Sequence, residues 1–245
     1  MVIEQLVGGI FLRGTRKLEY KMEKENKETF ERLRAMEKEK EKYEIEIKNE
    51  RFIIFPGVFS PKYFKSTEFQ VGNIKVNKGE EVLEIGCGAG IFSIFAAKNA
   101  SRVVATDINP SAVKNASENV SNYGLNHKVK VLMGDVYGPL SKDDKFDLIF
   151  WNIPFCYTES ENIRLVEKLL FDPKYASIKR FFVEANKHLK KDGRLIFEFS
   201  SDLGKIDKIK KFIKESNLKH KLIKSKKVAR FSDIISLELY EVRLK

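Results

Sequence analysis

"VLEIGCGAGIFSIFAA", residues 82–97, decides the fold. It reads as a strand, a glycine-rich turn and the opening of a helix. Gly86, Gly88 and Gly90 stand two apart, and glycines so placed permit sharp backbone angles and let main-chain N–H groups approach a ligand. The pattern departs from the dinucleotide spacing G-x-G-x-x-G, since Phe92 and Ser93 follow instead of a further glycine.

Working outward, short apolar runs alternate with helical segments. Strands are expected at Glu81–Ile85, Arg102–Thr106, Val129–Met133, Phe146–Trp151 and Arg194–Phe199, with two more near Lys219–Ser225 and Ile234–Arg243. Helices are expected near Ile91–Asn99, Ser111–Tyr123, Ser160–Lys190 and Lys205–Glu215. Such alternation predicts an α/β fold, a mostly parallel seven-stranded sheet with helices on both faces. Upstream, Lys17–Lys42 carries a thin apolar stripe (Leu18, Met22, Phe30, Leu33, Met36) in a charged helix. "YEIEIKNERFIIF" then reads as a hairpin, and "PGVFSP" closes it. The expected division is a helix-and-hairpin extension over 1–55 and a main domain over 56–245.

Two acids strengthen a nucleoside-cofactor reading. Asp107 ends the second strand in "VVATDIN", where a carboxylate can accept both hydroxyls of a ribose. Asp135 ends the third in "VLMGDVYG", where it can take an adenine amino group. For Asp107 the competing reading is a cap on the helix that begins at "NPSAVKNA".

These stretches resemble the class I, Rossmann-like S-adenosylmethionine-dependent methyltransferases: "VLEIGCGAG" their first motif, "TDIN" their second, "GDVYG" their third. The resemblance runs from about Pro56 to the C-terminus. "PGVFSP", "GLN", "GDVYGPL" and "FDLIFWNIPF" are most similar to the small-domain enzymes that methylate ribosomal RNA bases on nitrogen. It implies S-adenosylmethionine as cofactor. The methionine part would lie along Glu84, Gly86, Cys87, Gly88 and Gly90, the ribose on Asp107, and the adenine by Ile108, Asp135 and Val136, with Asn152 at the methyl end.

"NIPF", residues 152–155, is the candidate catalytic corner. An exocyclic amine is a weak nucleophile and must be held in line. The Asn152 side-chain carbonyl and the Ile153 backbone carbonyl can accept its N–H groups, Pro154 stiffens the turn, and Phe155 offers a stacking face. Related families carry Asn-Pro-Pro-aromatic here, so Ile153 is a departure. Trp151 is expected in the core. Cys156, a tempting nucleophile, has no activating base nearby in sequence. His127, His188 and His220 are expected at the surface, without metal-ligand spacing.

The net charge is +11, and residues 164–245 hold 22 Lys+Arg against 11 Asp+Glu, so the whole excess lies there. A one-sided basic surface favours RNA. Lys224, Lys226, Lys227 and Arg230 are its densest run; the plainer alternative is a solvated strand and turn. With two cysteines and no apolar run near the ~18 residues of a membrane span, a cytoplasmic setting is expected. The leading expectation is methylation of a guanine or cytosine amine in RNA, with ribosomal RNA or a ribosomal subunit as partner. The alternatives are a protein glutamine amide as substrate, and a non-catalytic RNA assembly factor.

Overall fold

The computed structural model describes residues 27–230 and 233–245. Helix α1 (Lys27–Glu37) is followed by strands β1 (Tyr43–Ile47) and β2 (Glu50–Ile54), which form a hairpin across Lys48 and Asn49, both at positive φ. The first ten residues of the expected charged helix, with Leu18 and Met22, lie outside the described residues.

Then come α2 (Ser66–Asn73), β3 (Glu81–Ile85), α3 (Ile91–Ala97), β4 (Arg102–Asp107), α4 (Pro110–Asn122), β5 (Val129–Met133) and β6 (Phe146–Asn152). Short strands β7 (Cys156–Thr158) and β8 (Phe171–Pro173) precede α5 (Ala176–Val183), β9 (Leu189–Phe199), α6 (Ile206–Glu215), β10 (Leu218–Ala229) and β11 (Ile234–Leu244). Among the described residues seven strands form one sheet in the order β10-β11-β9-β6-β3-β4-β5. The five from β9 to β5 run parallel, and β11 and β10 are antiparallel at one edge. This is the expected Rossmann-like architecture. The chain leaves β3 toward β4 and β5, then returns to β6 on β3's other side. The order reverses there, and a crevice opens at the carboxyl ends, where such sheets bind ligands.

One expected helix is corrected. Residues 160–190 hold no continuous helix: a 3-10 turn (Leu165–Leu169), β8 and α5 divide them. Pro173 cannot continue a helix, and Lys174 and Tyr175 both take positive φ.

The hairpin is integral to the main core. Ile47, Phe52 and Ile54 pack with Val82, Phe92 and Phe150. Two buried amides on α4 tie β2 down: Asn115 Nδ2 donates to Ile53 O (2.7 Å) while its Oδ1 accepts from Phe55 N (2.8 Å). Asn119 Oδ1 accepts from Ile53 N (3.0 Å), and its Nδ2 donates to Ala89 O (2.9 Å) in the glycine turn. Each such bond contributes about 1 kcal/mol net, and a lost partner costs more because the other stays buried. Helix α1 forms a satellite core with Cys156 and Phe171.

Candidate functional site

The turn between β3 and α3 holds Gly86, Gly88 and Gly90 at φ 63°, 54° and 76°. Gly90 has no room for a side chain: a Cβ would stand 3.0 Å from Ala116 Cβ. Asp107 lies at the end of the neighbouring strand, its Oδ2 accepting from Gly88 N (2.9 Å) and its Oδ1 from Asn109 N (2.8 Å). The cap of α4 is Asn109, which accepts from Ser111 N (2.9 Å), so Asp107 is not that cap. Burial raises the Asp107 carboxyl, and the N–H groups of Asn109 and Gly88 oppose the rise.

Glu84, two residues before Gly86, is 5% exposed and accepts from both the backbone N–H and the hydroxyl of Ser93. Burial pushes its carboxyl to about 8, and the neighbouring Asp107 charge adds to the rise.

Glu84, Gly86, Gly88 and Asp107 line one cleft with Cys87, Ile108, Asn109, Gly134, Asp135, Val136 and Asn152, whereas Gly90, packed against Ala116, is not among its lining residues. It holds what S-adenosylmethionine requires: buried acids at Glu84 and Asp107, a glycine turn without side chains to bar the approach of a ligand, and an exposed apolar Ile108 for a flat ring. Val136 sits at positive φ and is buried. Asp135 has a partner the sequence did not reveal: Arg180 donates to its Oδ2 at 2.6 Å across a half-exposed ion pair.

A second cavity adjoins the first, with Phe59, Asn152 and Leu169 lining both. Phe64, Lys65, Ser66, Ile153, Phe155, Leu203 and Val228 line its other walls, and α1 contributes Thr29 and Arg32. Phe59 and Phe64 stack at 4.8 Å, and Phe155 meets Phe199 edge to face. Asn152 Nδ2 donates weakly to Ser66 Oγ (3.4 Å), while its Oδ1 is buried with no partner. A buried acceptor without a donor is costly, which suits an atom reserved for a substrate. Ile153 departs from the usual proline yet fills the core with Trp151 and Ile178. The corner is braced from behind: Tyr175 Oη donates to Phe155 O and accepts from Lys205 N (3.1 Å).

Residues 49–226 match the family model described as methyltransferase small domain. The chain belongs to that family. Members of the small-domain family use S-adenosylmethionine, and this one is an S-adenosylmethionine-dependent N-methyltransferase. It is 33% identical over 172 residues to a Methanocaldococcus jannaschii protein named "Putative protein N5-glutamine methyltransferase", covering 68% of this chain and 84% of that one. It is 35% identical over 130 residues to the ribosomal protein uL3 glutamine methyltransferase of Bradyrhizobium diazoefficiens, covering 49% and 40%. Against the ribosomal RNA small subunit methyltransferase C of Hamiltonella defensa it is 26% identical over 164 residues, covering 65% and 43%. The chain thus spans under half the length of the last two. The crystal structure of the M. jannaschii tRNA m1G37 methyltransferase superposes with TM-score 0.60 at 20% identity, covering 85% of this chain and 59% of that one, a likeness of fold.

Within the small-domain site, several sequence readings change. Arg230 does not belong to the open basic run. Its side chain is 10% exposed and clasps Asp233 (2.7 and 3.0 Å), Thr29 Oγ1 (3.1 Å) and Glu28 (3.6 Å), tying the end of β10 to α1. Lys224, Lys226 and Lys227 are exposed on edge strand β10, whose last residues line the second cavity. His188 is buried, stacked on Tyr137 at 4.8 Å, not superficial. Cys156 is buried with its thiol pushed to about 12, so it stays protonated and unreactive. Among the described residues no group of His, Cys, Asp and Glu has metal-binding geometry, and no helix is long and apolar enough to cross a membrane. Sequence reasoning missed Phe59, Ser66 and Gln70, because nothing in sequence says that the loop before α2 and α2 itself come against the end of β6.

Proposed function

We propose that the enzyme methylates the exocyclic amine of a base, guanine or cytosine, in RNA, with ribosomal RNA the favoured source. The observation that carries this is Asn152 Oδ1, buried and unpartnered where the two cavities meet. S-adenosylmethionine, when bound, supplies an electrophilic methyl on a sulfonium. Asn152 Oδ1 and the Ile153 carbonyl accept the amine's N–H groups, turn its lone pair toward the first cavity and favour the charge that grows on nitrogen. Glu84, Gly86, Gly88 and Asp107 would hold the cofactor, which would supply the methyl group, while the corner's two carbonyls would hold the amine in place and its surplus proton would leave to solvent. Phe59, Phe64 and Phe155 supply aromatic walls for a flat ring.

RNA is favoured by charge. Of the charged side chains on the second cavity, Arg32 and Arg230 are paired with Glu28 (2.8 and 3.6 Å), so the charge argument rests on Lys65 and on the exposed lysines of β10. Lys224, Lys226 and Lys227 are exposed on β10, whose last residues, Val228 and Ala229, line the cavity. The second reading, a protein glutamine amide, presents the same planar N–H2 group and is favoured by the M. jannaschii relative, whose name specifies N5-glutamine.

The test uses radiolabelled cofactor with deproteinised ribosomal RNA and RNA-free ribosomal protein from cells lacking the gene. Label in nucleosides supports the first reading, and label in protein alone replaces it with the second. Asn152→Ala should lose roughly 100- to 1,000-fold in turnover while retaining cofactor binding.

A further inference from the structure

Seven buried side-chain N and O atoms among the described residues lack a hydrogen-bond partner of ordinary geometry, and five belong to Gln70 (Nε2), Asn152 (Oδ1), Glu198 (both oxygens) and Ser200 (Oγ). Glu198 and Asn152 are register partners on adjacent parallel strands β9 and β6, so their side chains leave the sheet on one face. Ser66 and Gln70, one turn apart on α2, lie on that side: Ser66 takes the Asn152 amide, and Gln70 comes close enough for its amide to oppose the rise that burial gives the Glu198 carboxyl without closing a hydrogen bond of ordinary geometry. Glu198 is wholly buried and lines neither cavity, whereas Gln70 and Asn152 line the cofactor cleft. A carboxyl so placed is costly to the fold, and an apolar residue of similar volume would cost less. Unsatisfied polar groups gathered behind a reacting corner mark a device kept for function.

We propose that Glu198, backed by Gln70, is a positioning residue that fixes the orientation of the Asn152 carboxamide. Its carbonyl oxygen accepts from Asn152 Nδ2 when an amine engages Oδ1, and its O–H turns to Ser200 Oγ. Burial pushes the carboxyl well above its usual range, which favours the protonated form, both an acceptor and a donor. A flipped carboxamide would present N–H to an N–H2 substrate, and the held one presents oxygen. The inference rests on Asn152 as the amine acceptor.

The test compares Glu198→Leu and Glu198→Gln with the parent and with Asn152→Ala in the full chain. Turnover is measured on deproteinised ribosomal RNA and on RNA-free ribosomal protein, cofactor-site integrity by calorimetry with S-adenosylhomocysteine, and stability by thermal unfolding. Glu198→Leu should lower kcat roughly 10- to 100-fold, bind S-adenosylhomocysteine as the parent does, and unfold at the same or a higher temperature. Glu198→Gln, which keeps an acceptor and a donor, should restore most of kcat. A substrate-free readout is the exchange rate of the Asn152 side-chain amide protons by 15N NMR, which should rise in the Leu variant and return in the Gln variant.

A Leu variant with parental kcat, or with unchanged amide exchange, overturns the inference. So does one that loses stability and S-adenosylhomocysteine binding together, which would make Glu198 a packing residue. An Asn152→Ala variant with parental turnover refutes the underlying reading instead, and the two failures are told apart by which variant stays active.

Discussion

Replacing Glu84 by Gln should stabilise the cofactor-free protein at neutral pH, by an amount that disappears in acid. Glu84 is 5% exposed, and burial lifts its carboxyl from an ordinary 4.5 to about 8 despite two bonds from Ser93. Below 4.5 folded and unfolded chains both carry the proton, and the contribution to stability is full. Between 4.5 and 8 the unfolded chain ionises while the folded one holds its proton, so stability falls as pH rises. The slope is about 1.4 kcal/mol per pH unit, so about 3 kcal/mol is lost between pH 4.5 and 7. That is a large share of the roughly 5–15 kcal/mol that holds a domain folded. Gln does not titrate. Urea unfolding of parent and variant across pH 4.5–9 isolates the effect as a difference, since the other groups titrate alike in both. The variant's advantage should grow by about 3 kcal/mol from pH 4.5 to 7 and flatten above 8. The ammonium of S-adenosylhomocysteine should favour the ionised carboxylate. Calorimetry at pH 7 in buffers of different ionisation heat should then show net proton release on binding to the parent and none to the variant. A stability difference that is flat from pH 4.5 to 8 refutes the reasoning.

Gly204→Ala should damage the site from behind, since its Cβ would fall 2.2 Å from Phe155 O and 2.3 Å from Phe199 Cζ. A loss of about 1–3 kcal/mol in unfolding free energy is expected, with reduced turnover. Tyr175→Phe removes the hydroxyl that braces the Phe155 carbonyl; it should cost about 1–2 kcal/mol by urea unfolding, and kcat should fall more than cofactor affinity. The triple change of Lys224, Lys226 and Lys227 to Ala should lower the salt dependence of RNA binding by a slope of roughly three, read by titration at several salt concentrations. Arg230→Ala should instead lower the unfolding temperature with little change in that slope, because Arg230 is spent on Glu28, Thr29 and Asp233.

The sheet was legible because its signals are local. β3 and β5 stand where the apolar runs predicted them, and β4 and β6 run one residue further, to Asp107 and Asn152. The glycine turn was equally plain, since positive φ at Gly86, Gly88 and Gly90 demands the residue type that stands there. Residues 160–190 misled because their Lys- and Leu-rich composition suits a helix, while the pairing of Phe171–Pro173 with Cys156–Thr158 is a contact distant in sequence. Glu198 left a signal that was passed over: a lone acid inside the apolar strand "RLIFEFS".

By itself the sequence determined the strand order along the chain, the cofactor turn and the Asn-Ile-Pro-Phe corner, because each depends on neighbours a few residues apart. Only the tertiary structure decided which groups share a space. It set Asn152 between two cavities with an unpartnered oxygen, brought α2 against it, and placed Glu198 at its side. It also took Arg230 out of the basic run and bound it to α1. The physical reason is that desolvation and hydrogen-bond partnership are properties of packing between segments far apart in the chain, and no spacing within one segment encodes them.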